Sequence, residues 1–124
     1  MTKSQALYKF WSSFGLKAYD EYTVPTGADA PVFPYITYQT ATDGLDNKFM
    51  LNASIYYKST SWTGVTNKAE EIAEAITKGG TIKLDNGYLK IWKGTPFAQR
   101  SGETVPDNIK RILLNIEVEF LTSY

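Results

Sequence analysis

The chain contains no cysteine and no histidine. Without cysteine there is no disulfide, no thiol nucleophile and no thiolate metal ligand, a pattern compatible with a reducing compartment. Without histidine, the side chain most used for proton transfer near neutral pH is gone, and so is the commonest metal ligand. Excess charge is lacking too. Lys and Arg number 13, Asp and Glu number 13, and the formal net charge is zero. A dedicated nucleic-acid binder usually carries a basic excess, so the balance argues against sequence-specific nucleic-acid recognition. It also removes one source of repulsion between copies. No run approaches ~20 apolar residues, so no membrane-spanning helix and no membrane partner are expected. Met1-Thr2-Lys3-Ser4-Gln5-Ala6 leads into an amphipathic stretch and not into the apolar block of a signal peptide.

What is present suits a folded domain. The chain has 124 residues, 43% of them hydrophobic and 15% aromatic. A single domain over residues 1–124 is expected. At this size it can bury roughly two-thirds of its extended-chain surface, so a core needs no covalent staples.

The core is expected to form over Asn47–Lys78. In Asn47–Lys58, Phe49, Leu51, Ala53 and Ile55 recur at period two and share one strand face, while Lys48, Asn52 and Ser54 point the other way. After a polar junction, Val65, Ala69, Ile72, Ala73 and Ile76 form one stripe of an amphipathic helix. Lys68, Glu70, Glu71, Glu74 and Lys78 cover its opposite side.

The remaining elements follow from spacing and turn chemistry. Leu7, Phe10, Trp11 and Phe14 predict a helix over Gln5–Phe14, capped by Ser4 or Thr2 and followed by Gly15. Leu16–Val24 reads as a strand ended by Pro25, with Ala18, Tyr22 and Val24 on one face. Pro25–Pro31 is a loop, and Phe33–Thr40 resumes an extended pattern with Pro34 at its start. Asp43-Gly44 predicts a hairpin turn within Ala41–Asp46. Gly79-Gly80 stops the second helix. Asn86-Gly87 joins strands Thr81–Asp85 and Tyr88–Lys93. Gly94–Asp107 reads as a loop of about 14 residues, long for a compact domain. Asn108–Leu121 is the cleanest strand, with Ile112, Leu114, Ile116, Val118 and Phe120 alternating with Leu113, Asn115, Glu117, Glu119 and Leu121. The order is α-β-β-β-α-β-β-β. It predicts an α+β fold: a mainly antiparallel sheet with both helices on one face.

Catalytic constellations are missing. Asp20 and Glu21 are strand neighbours and point to opposite faces. Glu70, Glu71 and Glu74 lie one helical turn apart, but a solvated helix face with a Glu74–Lys78 pair explains them better than a metal site. Ser54, Ser59 and Ser61 near Lys58 are too ordinary to read as a serine–lysine pair. The glycines lack phosphate-loop spacing. Asp43–Asn47 lacks the alternating ligands of a calcium loop. No catalytic, cofactor-binding or metal-binding residue is expected, and no enzymatic activity.

The informative feature is surplus surface. Two helices on one sheet face leave the other uncovered. Leu113, Leu121 and Tyr57 are assigned to that face, and the loop around Phe97 and Arg100 adds to it. This is more exposed apolar surface than a monomer usually carries. Tyr57, Trp92, Phe97, Arg100 and Leu113 are the expected interface residues.

Ala18-Tyr19-Asp20-Glu21-Tyr22-Thr23-Val24-Pro25, then Phe33-Pro34-Tyr35-Ile36-Thr37-Tyr38, the long strand, Trp62 and the helix over Ala69–Ile76 resemble the small tail-terminator (tail completion) proteins of long-tailed phages. The resemblance covers most of the chain. It implies helices on one face of a sheet, and no catalytic residue or cofactor. It implies a homo-oligomeric ring, usually hexameric, that caps the tail tube and joins the tail to the head. The implied partners are further copies of the chain, the major tail tube protein and the head–tail connector protein. The implied location is the virion at the head–tail interface, after synthesis in the host cytoplasm.

Rival readings are a head-completion or connector protein of the same junction, and a small soluble ligand- or nucleic-acid-binding module using the aromatic hairpin around Trp92.

Overall fold

The alternation over Ile112–Phe120 builds the middle of the sheet. In the computed structural model, which describes residues 2–40, 48–85, 87–101 and 108–122, it falls in the last strand. The elements are α1 (Lys3–Ser12), β1 (Lys17–Asp20), β2 (Tyr35–Tyr38), β3 (Lys48–Lys58), α2 (Thr63–Gly79), β4 (Thr81–Lys83), β5 (Gly87–Ser101) and β6 (Ile109–Thr122). A 3-10 turn at Gly27–Asp29 lies between β1 and β2. The strands form one six-stranded sheet in the order β1-β2-β3-β6-β5-β4. Among the described strands, only β1 and β2 pair in parallel. This is the α+β arrangement that the periodicities predict.

The register aligns the apolar alternation of neighbouring strands on one face. Ile36 pairs with Ile55, Ala53 with Leu114, Leu51 with Ile116, and Ile91 with Val118. All are buried, as are the α1 residues Ala6, Leu7, Phe10 and Trp11 and the α2 stripe Val65, Ala69, Ile72 and Ile76. Both helices therefore cover the same sheet face. A side chain withdrawn as fully as Phe120 or Ile116 stabilises the fold by about 1.5–3 kcal/mol.

The helix ends obey local rules. Thr2 caps α1: its hydroxyl accepts from the Gln5 N–H at 3.2 Å, and Gln5 Oε1 accepts from the Thr2 N–H at 2.9 Å. Gly15, at φ +80°, takes the left-handed turn after α1. On the second helix Glu74 pairs with Lys78 at 2.7 Å, as its i,i+4 spacing predicts.

Several boundaries differ from expectation. The Leu16–Val24 strand stops at Asp20, because Asp20 turns the chain. Its carboxylate accepts from the Tyr22 N–H at 2.9 Å and its carbonyl from the Thr23 N–H at 3.0 Å. Tyr22 is consequently 82% exposed and shares no strand face with Ala18. The Gly94–Asp107 loop is a strand as far as Ser101. Between Lys93 and Ala98 the β5–β6 register shifts, so Gly94–Phe97 bulges opposite Asn115. Asn115 Nδ2 donates to the Pro96 carbonyl at 2.9 Å, holding the bulge in place. Tyr57 lies on the helix-covered face, since it continues the parity of Ile55 and packs against the core. The Asp43-Gly44 turn, Asn86 and residues 102–107 fall outside the described residues. Strands β4 and β5 are paired antiparallel, with the Leu84 N–H on the Gly87 carbonyl at 2.8 Å.

Candidate assembly surface

Among the described residues, no helix covers the second face of the sheet. Four strands each contribute one side chain to a ladder across it. Tyr19 of β1 meets Tyr35 of β2 edge-on, with centroids 6.1 Å apart. Tyr35 stacks on Tyr56 of β3 at 4.9 Å and 18°. The Arg111 guanidinium of β6 lies 5.5 Å from the Tyr56 centroid. Phe33 flanks Tyr35 at 5.2 Å. The strand register dictates this: Tyr19 is one step from Ala18, Tyr35 is paired with Tyr56, and Tyr56 with Arg111. Burial raises the Tyr35 phenol above its ordinary pKa, and the neighbouring Tyr56 and Tyr19 add to the shift. Arg111 also donates from Nε and Nη2 to the buried Ser54 hydroxyl at 3.1 and 3.0 Å.

Trp92 lies farther along the same face, opposite Glu117. Lys48 Nζ sits 4.3 Å from its ring centroid and Lys90 Nζ 5.4 Å. Both lysines are paired in register with Glu119. Charges of both signs therefore alternate around the indole, and its face is occupied by cations of the chain itself.

A second aromatic–cationic cluster lies on the helix side, where α2 begins. Arg100 lies 4.9 Å from the Trp62 ring centroid and Lys110 Nζ 5.4 Å. The Tyr57 ring presses on Gly64, where even a methyl group would sit 3.2 Å from it. Beside this cluster, α2 stands away from the distal half of β5. The gap is a cleft of about 230 Å³ lined by Thr66, Ala69, Glu70, Ala73, Phe97, Arg100 and neighbours.

The five expected interface residues thus divide between two surfaces. Trp92 and Leu113 lie on the open face, Leu113 half-buried opposite Gln99. Tyr57, Phe97 and Arg100 lie on the helix side, around the start of α2 and its cleft. The tyrosine ladder is the feature that the sequence reading missed. Its members alternate correctly within each strand, but only the strand pairing brings them together.

Among the described residues, no three Asp or Glu side chains approach closely enough to hold a metal ion. Glu71 pairs with Lys68 at 3.2 Å and Glu74 with Lys78, so the α2 carboxylates do not converge. Ser54 is bonded to Arg111, not poised beside Lys58.

No protein-family model matches the chain. No curated protein sequence matches it either. Among solved structures, it is similar to a chain of the virion of a native gene transfer agent particle. The TM-score is 0.64 and the identity 18%, with 94% of this chain and 92% of that one covered.

Proposed function

We propose that this chain is a non-enzymatic structural protein of a phage-like virion, acting as a tail terminator. Copies form a ring that ends the tail tube and meets the head connector. The observation that carries the reading is the end-to-end likeness to a chain of a gene transfer agent virion, which covers nearly all of both chains. The sequence resemblance to tail terminators points the same way, and so does a sheet face rich in half-buried aromatics that no helix covers. Both paired surfaces, the open face and the corner at Trp62, suit contacts with proteins on two sides.

The test is electron microscopy of the purified protein, alone and mixed with tail tubes built from the major tube protein encoded with it. Rings seated at tube ends, with tube growth arrested, are the expected result. Rings found only on the head connector would reassign the chain to head completion. A strict monomer that joins neither structure would contradict the proposal.

A further inference from the structure

The two edges of the sheet are β1 and β4. Their directions follow from the pairings. β2 runs with β1, β3 against it, β6 with it, β5 against it, and β4 with it again. The two edges are therefore parallel. A copy rotated about an axis roughly along the strands brings its β4 alongside the first copy's β1 in parallel.

The hydrogen-bonding phase of the two edges selects the same geometry. On β1, the Glu21 N–H donates to the Tyr38 carbonyl at 2.9 Å. Odd-numbered residues thus bond inward to β2, and the Ala18 N–H and C=O face outward. On β4, the Ile91 N–H donates to the Gly80 carbonyl at 2.7 Å and the Leu84 N–H to the Gly87 carbonyl at 2.8 Å. Even-numbered residues thus bond to β5, and the backbones of Thr81 and Lys83 face outward. The side chains add a second condition. Ala18 is buried on the helix side, and Ile82 packs against the core on that side too. Thr81 and Lys83 point to the open face.

An antiparallel join pairs outward residues directly, and paired residues share a face. Ala18 would lie opposite Thr81 or Lys83, so one copy would be turned over with its helices on the wrong side. A parallel join bonds an outward residue to the neighbours of the residue opposite it. Ala18 then lies opposite Ile82, donates to the Thr81 carbonyl and accepts from the Lys83 N–H. Both copies keep their helices on one side.

Resting on the ring reading above, we infer that β4 of one copy adds in parallel to β1 of the next, so that one sheet continues from subunit to subunit. The surroundings of β1 have room for a strand. A groove of about 500 Å³ runs toward α1 past Tyr8 and Ser12. Another of about 460 Å³ runs past Val32 and Pro34. The join sets Lys83 beside Tyr19. The Lys83 ammonium can then lie against the electron-rich Tyr19 ring, as Arg111 lies against Tyr56 at the other end of the ladder. The join also buries the half-covered Ile82 against Ala18. A two-fold β1–β1 pairing would leave the β4 edge and Ile82 open. The head-to-tail join closes both edges with one kind of contact.

The chain has no cysteine, so introduced thiols report alone. Lys17→Cys and Thr81→Cys place two exposed thiols opposite each other across the join, at the ~4.8 Å strand spacing that disulfide geometry accepts. The single variants are mixed in equal amounts, bound to tail tubes, and oxidised gently. The expected result is a cross-linked pair in the mixture, none with either variant alone, and a ladder up to the closed ring with the double variant. Rings on tubes without cross-links would overturn this interface while leaving the ring reading intact. Cross-linking within Lys17→Cys alone would point to two-fold pairing and also overturn it. Neither rings nor cross-links would remove the ring reading, and this inference with it.

Discussion

Arg111 reaches across the β3–β6 pair to Ser54, giving two hydrogen bonds to one buried hydroxyl. The same guanidinium lies over Tyr56, and Tyr56 stacks on Tyr35. One arginine therefore anchors the aromatic ladder to the middle of the sheet.

Removing that anchor should be felt. Arg111→Ala leaves the Ser54 hydroxyl buried without a donor and uncovers Tyr56, at a cost of about 2 kcal/mol. Ser54→Ala should cost less, about 1 kcal/mol, because the partly exposed guanidinium regains water. Urea denaturation tests this as a fall in midpoint at unchanged m-value, larger for the arginine variant.

Two adjacent glycines should respond in opposite ways. A Cβ at Gly79 meets nothing within 4 Å, and Gly79→Ala should be neutral or stabilising by up to about 1 kcal/mol, as in any helix. A Cβ at Gly80 would overlap the Ile91 carbonyl oxygen, to which the backbone cannot yield without opening the β4–β5 pair. Gly80→Ala should therefore destabilise by about 2 kcal/mol or more. Gly94→Ala should resemble it, since its Cβ would lie 2.9 Å from both Cβ and O of Asn115. Thermal melts of the three variants separate these outcomes.

These glycines mark how far the sequence can be read. β6 and α2 are legible because each repeats one burial period over many residues, and the paired register then follows from matching faces. Tyr57 is assigned to the open face, yet it packs against the core on the helix side. It continues the parity of Phe49, Leu51, Ala53 and Ile55, so period two alone puts it under α2. The reach of β5 was not legible. Gly94 and Pro96 are strand breakers in isolation, and only the amide of Asn115, 19 positions from Pro96, turns them into a bulge. The early end of β1 depends on one aspartate bonding two following N–H groups, a choice that competes with strand extension and leaves no periodic trace. The parallel pairing of β1 with β2 has no local signature either. The candidate surface shares this fate: Trp92 and Leu113 can be placed on a face by alternation, whereas the tyrosine ladder exists only once four strands are in register.

Alkaline pH should loosen this ladder. The Tyr35 phenol is raised by burial first, then by Tyr56 and Tyr19. The Tyr38 phenol is raised by burial first, then by Asp20 and Tyr8. A raised phenol favours the neutral form in the native state. The associated stability is complete below the unfolded value of about 10 and is lost as pH climbs through the higher folded values. Melting temperature should therefore fall above about pH 10, and less steeply for Tyr35→Phe than for the parent. Equal slopes would count against the assignment.

Trp92 gives a test against the nucleic-acid reading. Its ring face is held by Lys48 and Lys90, and acidic residues sit opposite all three in register. Single-stranded DNA should show no salt-dependent binding, and Trp92→Ala should leave a fluorescence-anisotropy titration unchanged. Tight binding at low salt that weakens steeply with added salt, and disappears in Trp92→Ala, would support that rival.

As proposed above, the chain works as a ring at the end of a tail tube. Imaging of purified protein mixed with tail tubes is the direct test. One ring per tube end is expected, with tubes that no longer lengthen when more tube protein is added. Tubes that keep growing, with the chain monomeric and bound to neither tube nor head connector, would contradict the proposal.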